Sequence, residues 1–131
     1  MGARNNRQAS NSERVEMGFL EAVRSRCPKH RFVLEALGEM YTLTGRFEEG
    51  LQVDMELTRI CPREAVAWYN LGCSHALMGQ GDAAFAALTK AIALGYTDIE
   101  WMRQDTDLET IRQDVRFSAL LRQVEAQRHN P

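Results

Sequence analysis

Two cysteine–proline dipeptides, Cys27-Pro28 and Cys61-Pro62, are the first residues in this sequence whose chemistry invites attention. A cysteine thiolate can ligate haem iron, so each dipeptide could belong to a haem or redox sensor. The dipeptides lie 34 positions apart, however, and a duplicated sequence would repeat them without any shared ligand. Proline readily ends a helix, and a cysteine beside it is ordinarily a small apolar residue that fills space. We expect no cofactor and no metal, and keep haem or redox sensing as an alternative function.

Two other patterns resemble catalytic or nucleotide-binding motifs. Cys73 and His75 could act as a nucleophile and its base, but residues two apart on a helix point in nearly opposite directions. We expect His75 to be packed and hydrogen-bonded instead. Residues 79–84 fit the dinucleotide-binding pattern G-x-G-x-x-A, which requires a preceding strand, and a predicted helix precedes them here. We therefore predict that the chain is not an enzyme and has no catalytic residues.

The elements that position these residues repeat at the same offset of 34 residues. Gly45 corresponds to Gly79, and each falls where a helix must stop, a place that suits the left-handed conformation of glycine. The larger apolar and glycine positions recur as two matching sets, Leu34, Leu37, Gly38 and Tyr41 against Trp68, Leu71, Gly72 and His75. Spacings of three and four residues place each set on one face of a helix.

This pattern resembles the tetratricopeptide repeat, whose signature combines a 34-residue period with an aromatic residue or Leu, then Leu-Gly, then an aromatic residue. Residues 31–64 and 65–98 resemble two complete repeats, and residues 13–30 resemble the second half of a preceding one. Asp54 departs from the large apolar residue that the family prefers, and Tyr96 replaces the closing proline. The resemblance implies an all-α fold, a right-handed superhelix or α-solenoid, and a protein-binding role.

Helical signals continue beyond the last repeat. Residues 99–126 resemble the closing segment of short bacterial tetratricopeptide proteins, which covers the apolar face of a terminal repeat. Within them, residues 106–109 resemble a capping box for a short helical turn ending near Arg112, and Asp114 caps a last helix. Residues 1–12 and 127–131 are predicted to be tails, the first of them disordered. We predict the earlier helices at about residues 12–26, 30–44, 47–60, 64–78, 82–94 and 97–104.

The resemblance also implies where a partner would bind, because the first helix of each repeat lines the concave face. The groove positions are Phe32, Glu35, Ala36, Glu39, Thr42, Leu43, Val66, Tyr69, Asn70, Cys73 and Leu77. Family members that clamp a carboxylate use Lys, Asn and Arg on this face, and only Asn70 matches them. Glu35 and Glu39 would repel a carboxylate, so we expect a partner protein or peptide with basic and apolar residues. The alternative is that these residues merely form a solvated groove wall.

A second contact surface is suggested by the low charge of residues 65–98. Ala83, Phe85, Ala86 and Ala87 could face a partner or a second copy of the chain, which would make a homodimer. The alternative is that alanine is present there as a good helix former.

Composition excludes several classes of function. The 131 residues include 16 basic and 18 acidic side chains, and a net charge of −2 gives no general attraction to nucleic acid or to an acidic membrane. No apolar run approaches the ~20 residues of a membrane span. An odd number of widely spaced cysteines favours a reducing compartment, so we expect a cytoplasmic protein. We predict a non-catalytic interaction scaffold or adaptor, and keep a small secretion-type chaperone that shields an apolar substrate as the alternative.

Overall fold

The computed structural model describes residues 8–129, and this part of the chain is helical with no β-strand, which confirms the all-α prediction. The residues that precede and follow it include most of the predicted N-terminal tail and the end of the C-terminal one, which therefore lie outside the described residues. The elements are α1 (Asn11–Arg26), α2 (Arg31–Leu43), α3 (Phe47–Ile60), α4 (Ala65–Leu77), α5 (Gly81–Ala93), α6 (Ile99–Gln104), a 3₁₀-helix (Thr106–Ile111) and α7 (Val115–Arg128).

The helix ends follow from local hydrogen bonds. The Ser10 hydroxyl accepts from the Glu13 backbone N–H at 3.2 Å, while the Ser10 N–H donates to the Glu13 carboxylate at 2.9 Å. This reciprocal capping box starts α1 at Asn11, inside the stretch predicted to be a tail. The predicted box at residues 106–109 is wrong in its first residue, because the Asp105 carboxylate caps the 3₁₀-helix by accepting from the Asp107 N–H at 3.0 Å.

The 34-residue period is visible in the backbone. Helices α2 and α4 begin 34 residues apart and end 34 residues apart. After each of them a glycine turns the chain with positive φ, 78° at Gly45 and 73° at Gly79. The next N–H reaches back to the preceding helix in the same way both times, Arg46 to the Tyr41 carbonyl and Gln80 to the His75 carbonyl. The same local sequence therefore produces the same helix–turn–helix unit twice.

Close helix contacts hold each unit together. A Cβ added at Gly72 of α4 would lie 2.7 Å from Cγ of Leu88 in α5, and one at Gly38 of α2 would lie 3.2 Å from Oδ1 of Asp54 in α3. A Cβ at Gly72 would therefore force Leu88 to move, whereas one at Gly38 would make only a tight contact with the Asp54 side chain.

The apolar core has a larger and a smaller part. The larger part joins α4 and α5 to the segment after Gly95, with fully buried Leu88, Ile92, Met102, Leu108 and Val124 among its members. The smaller part joins α1, α2 and α3 through Met17, Leu34, Leu37, Tyr41, Val53 and Leu57. A third, separate group, Leu51, Leu71 and Ala87, joins α3, α4 and α5.

The alanine-rich stretch of α5 is mostly packed inside the molecule, so its prediction as a second contact surface is wrong for most of its residues. Phe85 and Ala87 are buried and Ala83 is half-buried, which leaves only Ala86 exposed. The cause is α7, which covers Phe85 and places the Arg116 guanidinium 4.4 Å from its ring centroid.

The cysteines also differ from the expectation of small core residues. Cys27 is exposed and Cys61 is half-buried, because each is the C-cap of a helix, where the backbone turns back and the side chain projects outward. Cys73 alone is buried, and all three thiols are free. Among the described residues, no helix combines the length and the apolar character needed to cross a membrane.

Candidate functional site

A cavity of about 300 Å³ opens between α2, α3, α4 and the 3₁₀-helix, and we call it the acidic cavity. Its wall contains four carboxylate side chains, and none of the described residues that line it is a lysine or an arginine. Its lining residues are Glu35, Gly38, Glu39, Thr42, Asp54, Leu57, Asn70, Cys73, Ser74, Leu77 and Asp107. A wall of one charge sign in a concave site produces a negative potential that favours cations.

Six of the predicted groove residues line this cavity, three from each of two helices: Glu35, Glu39 and Thr42 from α2, and Asn70, Cys73 and Leu77 from α4. The equal register of α2 and α4 brings them together. Glu35 is engaged by Arg31 at 3.0 Å. Glu39 and Asn70 make no side-chain hydrogen bond or ion pair with the rest of the described chain. They are therefore open to a ligand.

Asp54 forms the floor of the acidic cavity. It is 6% exposed and accepts a hydrogen bond from the Ser74 hydroxyl. Burial raises the pKa of Asp54 to about 6, the hydrogen bond from Ser74 opposes that rise, and the nearby Asp107 carboxylate adds to it. In the sequence, the only indication that Asp54 could be functional was that it replaces the apolar residue expected at this position of the repeat. No sequence pattern indicated that Ser74 or Asp107 would line the cavity.

Tyr69 and Cys73 lie deeper than an open groove would place them. The Tyr69 hydroxyl donates to Oδ2 of Asp105 at 2.6 Å, and its ring stacks on Tyr96 with centroids 4.2 Å apart. The Cys73 thiol lies 3.7 Å from the same Asp105 oxygen. Both side chains are buried, in one core cluster with residues of the segment after Gly95, so each contributes only a small part of its surface to the pocket that it lines.

This buried network also accounts for a group of potential metal ligands. Atoms of Cys73, Asp105 and Asp107 lie within 4.8 Å of one another. One Asp105 oxygen accepts from the Asp107 N–H and the other from Tyr69 and Cys73, so both are engaged within the fold. Burial raises the pKa of the Cys73 thiol well above its ordinary value, which disfavours the thiolate that ligates metals or attacks substrates. The network therefore has a structural explanation.

A second pocket, of about 480 Å³, lies between the first half of α4 and residues 95–101, and we call it the aromatic pocket. Val66 and Trp101 expose 58% and 46% of their surfaces at its mouth, beside Tyr96. Asn70 lines this pocket as well as the acidic cavity. Phe32, although 69% exposed, lines neither of them.

His75 is half-buried, and its Nδ1 lies 2.7 Å from the side-chain oxygen of Gln80. It is therefore hydrogen-bonded as predicted, next to the turn at Gly79. The Cys73 thiol is directed to Asp105 instead, so Cys73 and His75 do not form a catalytic pair.

Part of the chain is similar to a plant protein. No protein-family model matches the chain. A chloroplastic protein of Arabidopsis thaliana is 36% identical to it over 89 residues. The match covers 66% of this chain and only 27% of that protein. The chain thus resembles one part of a longer protein.

Proposed function

We propose that the chain is a non-catalytic interaction module of the tetratricopeptide type, which binds a segment of a partner protein through the acidic cavity. The observation that carries this proposal is a concave wall with four carboxylates and, in the described part of the chain, no cation. The matching helix–turn–helix units at residues 31–64 and 65–98 support the assignment to this repeat class.

The arrangement that goes with this proposal is a right-handed superhelix. Residues 13–30 would be a half repeat, and residues 99–126 would be the closing segment. The apolar core shared by α5, α6 and α7 supports the closing role, because a terminal repeat needs a cover for its apolar face. A cytoplasmic location and a bacterial type of protein stay predictions, since the similar plant protein is described as chloroplastic.

A lysine or arginine side chain is the partner group that fits best. Glu39 and the Asn70 oxygen offer acceptors that no described residue occupies, and both lie at the cavity wall. Hydrogen bonds between a guanidinium and a carboxylate are about twice as strong as neutral ones. Because Arg31 already pairs with Glu35, we expect Glu39 to contribute most of the attraction at the entrance.

Replacing Glu39 by Lys tests this function. The probe is a set of fluorescein-labelled twelve-residue peptides of Ser, Ala and Gly that carry one Leu and one Arg, measured by anisotropy. We expect Glu39→Lys to weaken binding about tenfold or more, a loss typical of a disrupted charge pair. The matched control is Glu16→Lys, which makes the same charge change at an exposed position of α1 outside the cavity.

The peptide itself provides the second control. Replacing its Arg by Glu should remove binding to the parent protein, and lowering the salt concentration should strengthen binding of the Arg peptide. Equal binding of Arg and Glu peptides, or equal effects of the Glu39 and Glu16 variants, would refute the proposal.

The two alternative functions, a secretion-type chaperone and a haem or redox sensor, stay predictions. Cys27 and Cys61 cap different helices, α1 and α3, and neither lines the acidic cavity or the aromatic pocket. The two cysteines therefore add no support to the sensor alternative.

A further inference from the structure

We infer that the aromatic pocket is a second subsite for the same partner segment, and that it accepts an apolar side chain about three residues away from the basic one. This inference rests on the proposed function. It adds the chemical pattern of the partner: one aliphatic or aromatic anchor, a short spacer, and one lysine or arginine.

The first support is the apolar surface at the pocket mouth. Val66 and Trp101 are among the few large apolar residues that the structure leaves exposed, and they lie in the wall of one pocket. Tyr96 extends this surface inward, where its ring stacks on buried Tyr69. Clustered exposed apolar residues with a polar rim are typical of an interaction site.

The second support is continuity with the acidic cavity. Asn70 belongs to both walls and lies one helical turn from Val66, so a segment that runs along this face of α4 would touch both subsites. The Asn70 amide has no side-chain partner within the described residues, and an amide can both donate to and accept from a peptide backbone.

The third support is charge. Among the described residues, Asp98 is the single charged one in the wall of the aromatic pocket, and its carboxylate accepts from the Trp101 N–H at 3.1 Å. Neither subsite has a described cationic lining residue, so the path along α4 between them is neutral or negative. A segment with basic and apolar residues complements this path, and an acidic segment does not.

The spacing follows from the rise of α4. Val66 in the aromatic pocket and Cys73 in the acidic cavity lie seven residues apart on one face of this helix, which is about 10 Å at 1.5 Å per residue. An extended peptide advances about 3.3 Å per residue, so the two anchors should be roughly three residues apart.

Tryptophan fluorescence can test the inference directly. The chain has two tryptophans, and Trp68 lies outside the aromatic pocket with its indole N–H donating to the Pro62 carbonyl. In a Trp68→Phe background, emission therefore reports on Trp101 alone. The probes are unlabelled peptides of the form Leu–spacer–Arg with zero to six Ser or Gly residues between the anchors. We expect a blue shift of Trp101 emission on binding, with the tightest binding at a spacer of about two or three residues.

Val66→Ser is the variant that distinguishes this inference from the proposed function. It should weaken binding of the best Leu–spacer–Arg peptide about fivefold to tenfold, as expected when one aliphatic contact is lost, and leave the matched Ser–spacer–Arg peptide unaffected. The control is Phe32→Ser, at an exposed position of α2 that lines neither subsite, and it should leave binding of both peptides unaffected.

Each outcome bears on one proposal or on both. If Glu39→Lys abolishes binding while Val66→Ser has no effect, or if affinity does not depend on spacer length, the second subsite is refuted and the proposed function survives. If neither substitution changes binding, both proposals fail. Circular dichroism of each variant checks that the fold is intact. Glu39, Val66 and Phe32 are exposed, and phenylalanine keeps an apolar ring at position 68, where the half-buried tryptophan packs against the core.

Discussion

Asp105 connects the last helices to the rest of the molecule. Its carboxylate accepts from the Tyr69 hydroxyl, the Cys73 thiol and the Asp107 backbone N–H, and its carbonyl accepts from the Arg112 guanidinium at 2.6 Å. A buried carboxylate is tolerated only when such donors surround it. Asp105 therefore holds the segment after Gly95 against α4 and caps the start of the 3₁₀-helix.

Asp54 is also a buried carboxylate, but it has fewer hydrogen-bond donors than Asp105. It accepts from the Ser74 hydroxyl within the described chain, and burial raises its pKa to about 6. The folded protein then keeps the Asp54 proton between about pH 4 and pH 6, where the unfolded chain has lost it. The stability that this proton provides is fully present below about pH 4 and is lost as the pH rises through 6.

We therefore predict that Asp54→Asn reduces the loss of stability toward neutral pH. A pKa raised by about two units corresponds to roughly 3 kcal/mol. The free energy of unfolding of the variant relative to the parent should increase by about 2–3 kcal/mol between about pH 4 and pH 7 in urea titrations. A relative stability that is the same at both pH values would contradict the prediction.

Among the elements, two glycines within helices have very different surroundings. Gly72 lies where α4 crosses α5, and a Cβ there would meet the buried Leu88 side chain at 2.7 Å. Gly18 lies in the middle of α1, exposed, with nothing within 4 Å of an added Cβ. One glycine is required by packing, and the other only weakens its helix.

Alanine substitutions at these two positions should have opposite effects. We expect Gly72→Ala to lower the free energy of unfolding by about 1–3 kcal/mol, because the buried Leu88 side chain has little room to move. Gly18→Ala should raise it by about 0.5–1 kcal/mol, because alanine is the better helix former. Denaturant titrations of the two variants check this, and a Gly72→Ala protein as stable as the parent would mean that the helices do not cross as described.

The difference between local signals and contacts of distant residues explains how much of the fold could be predicted from the sequence. The bounds of α2 and α4 differ from prediction by one residue at each end, because glycines, caps and apolar spacing are local signals. The burial of Tyr69 was not predictable, because it depends on Asp105, 36 residues further along the chain. Six groove residues could be placed at the cavity from the repeat register alone, whereas Asp54, Ser74 and Asp107 meet there only through packing between helices.

At the scale of the whole molecule, the larger core depends on the segment that follows Gly95. Leu88 and Ile92 of α5 are fully buried in one cluster with Met102, Leu108 and Val124. The Arg112 guanidinium also ties the end of α6 to the 3₁₀-helix through the Met102 and Asp105 carbonyls. The closing segment therefore contributes to the main core as well as covering the last helix pair.

We predict that a chain ending at Gly95 loses much of its thermal stability, because this truncation exposes α5 and removes Asp105, the acceptor of the Tyr69 hydroxyl. Thermal unfolding followed by circular dichroism should show a broad transition, or one at a much lower temperature. A chain ending at residue 126 is the control, because it retains Val124 and most of α7, and it should unfold close to the parent. A Gly95 truncation with the parent's midpoint would contradict the assignment of the core.

The three cysteines differ in exposure, so they should react with thiol reagents at different rates. Cys27 is exposed, Cys61 is half-buried and Cys73 is buried beneath the Asp105 network. An alkylating reagent should modify exposed Cys27 much faster than Cys73, which lines the acidic cavity but is only 6% exposed, so that its reaction depends on local opening of the structure. Cys27 thus serves as the reference thiol and Cys73 as the reporter, and the ratio of their alkylation rates measures how often the structure around Cys73 opens.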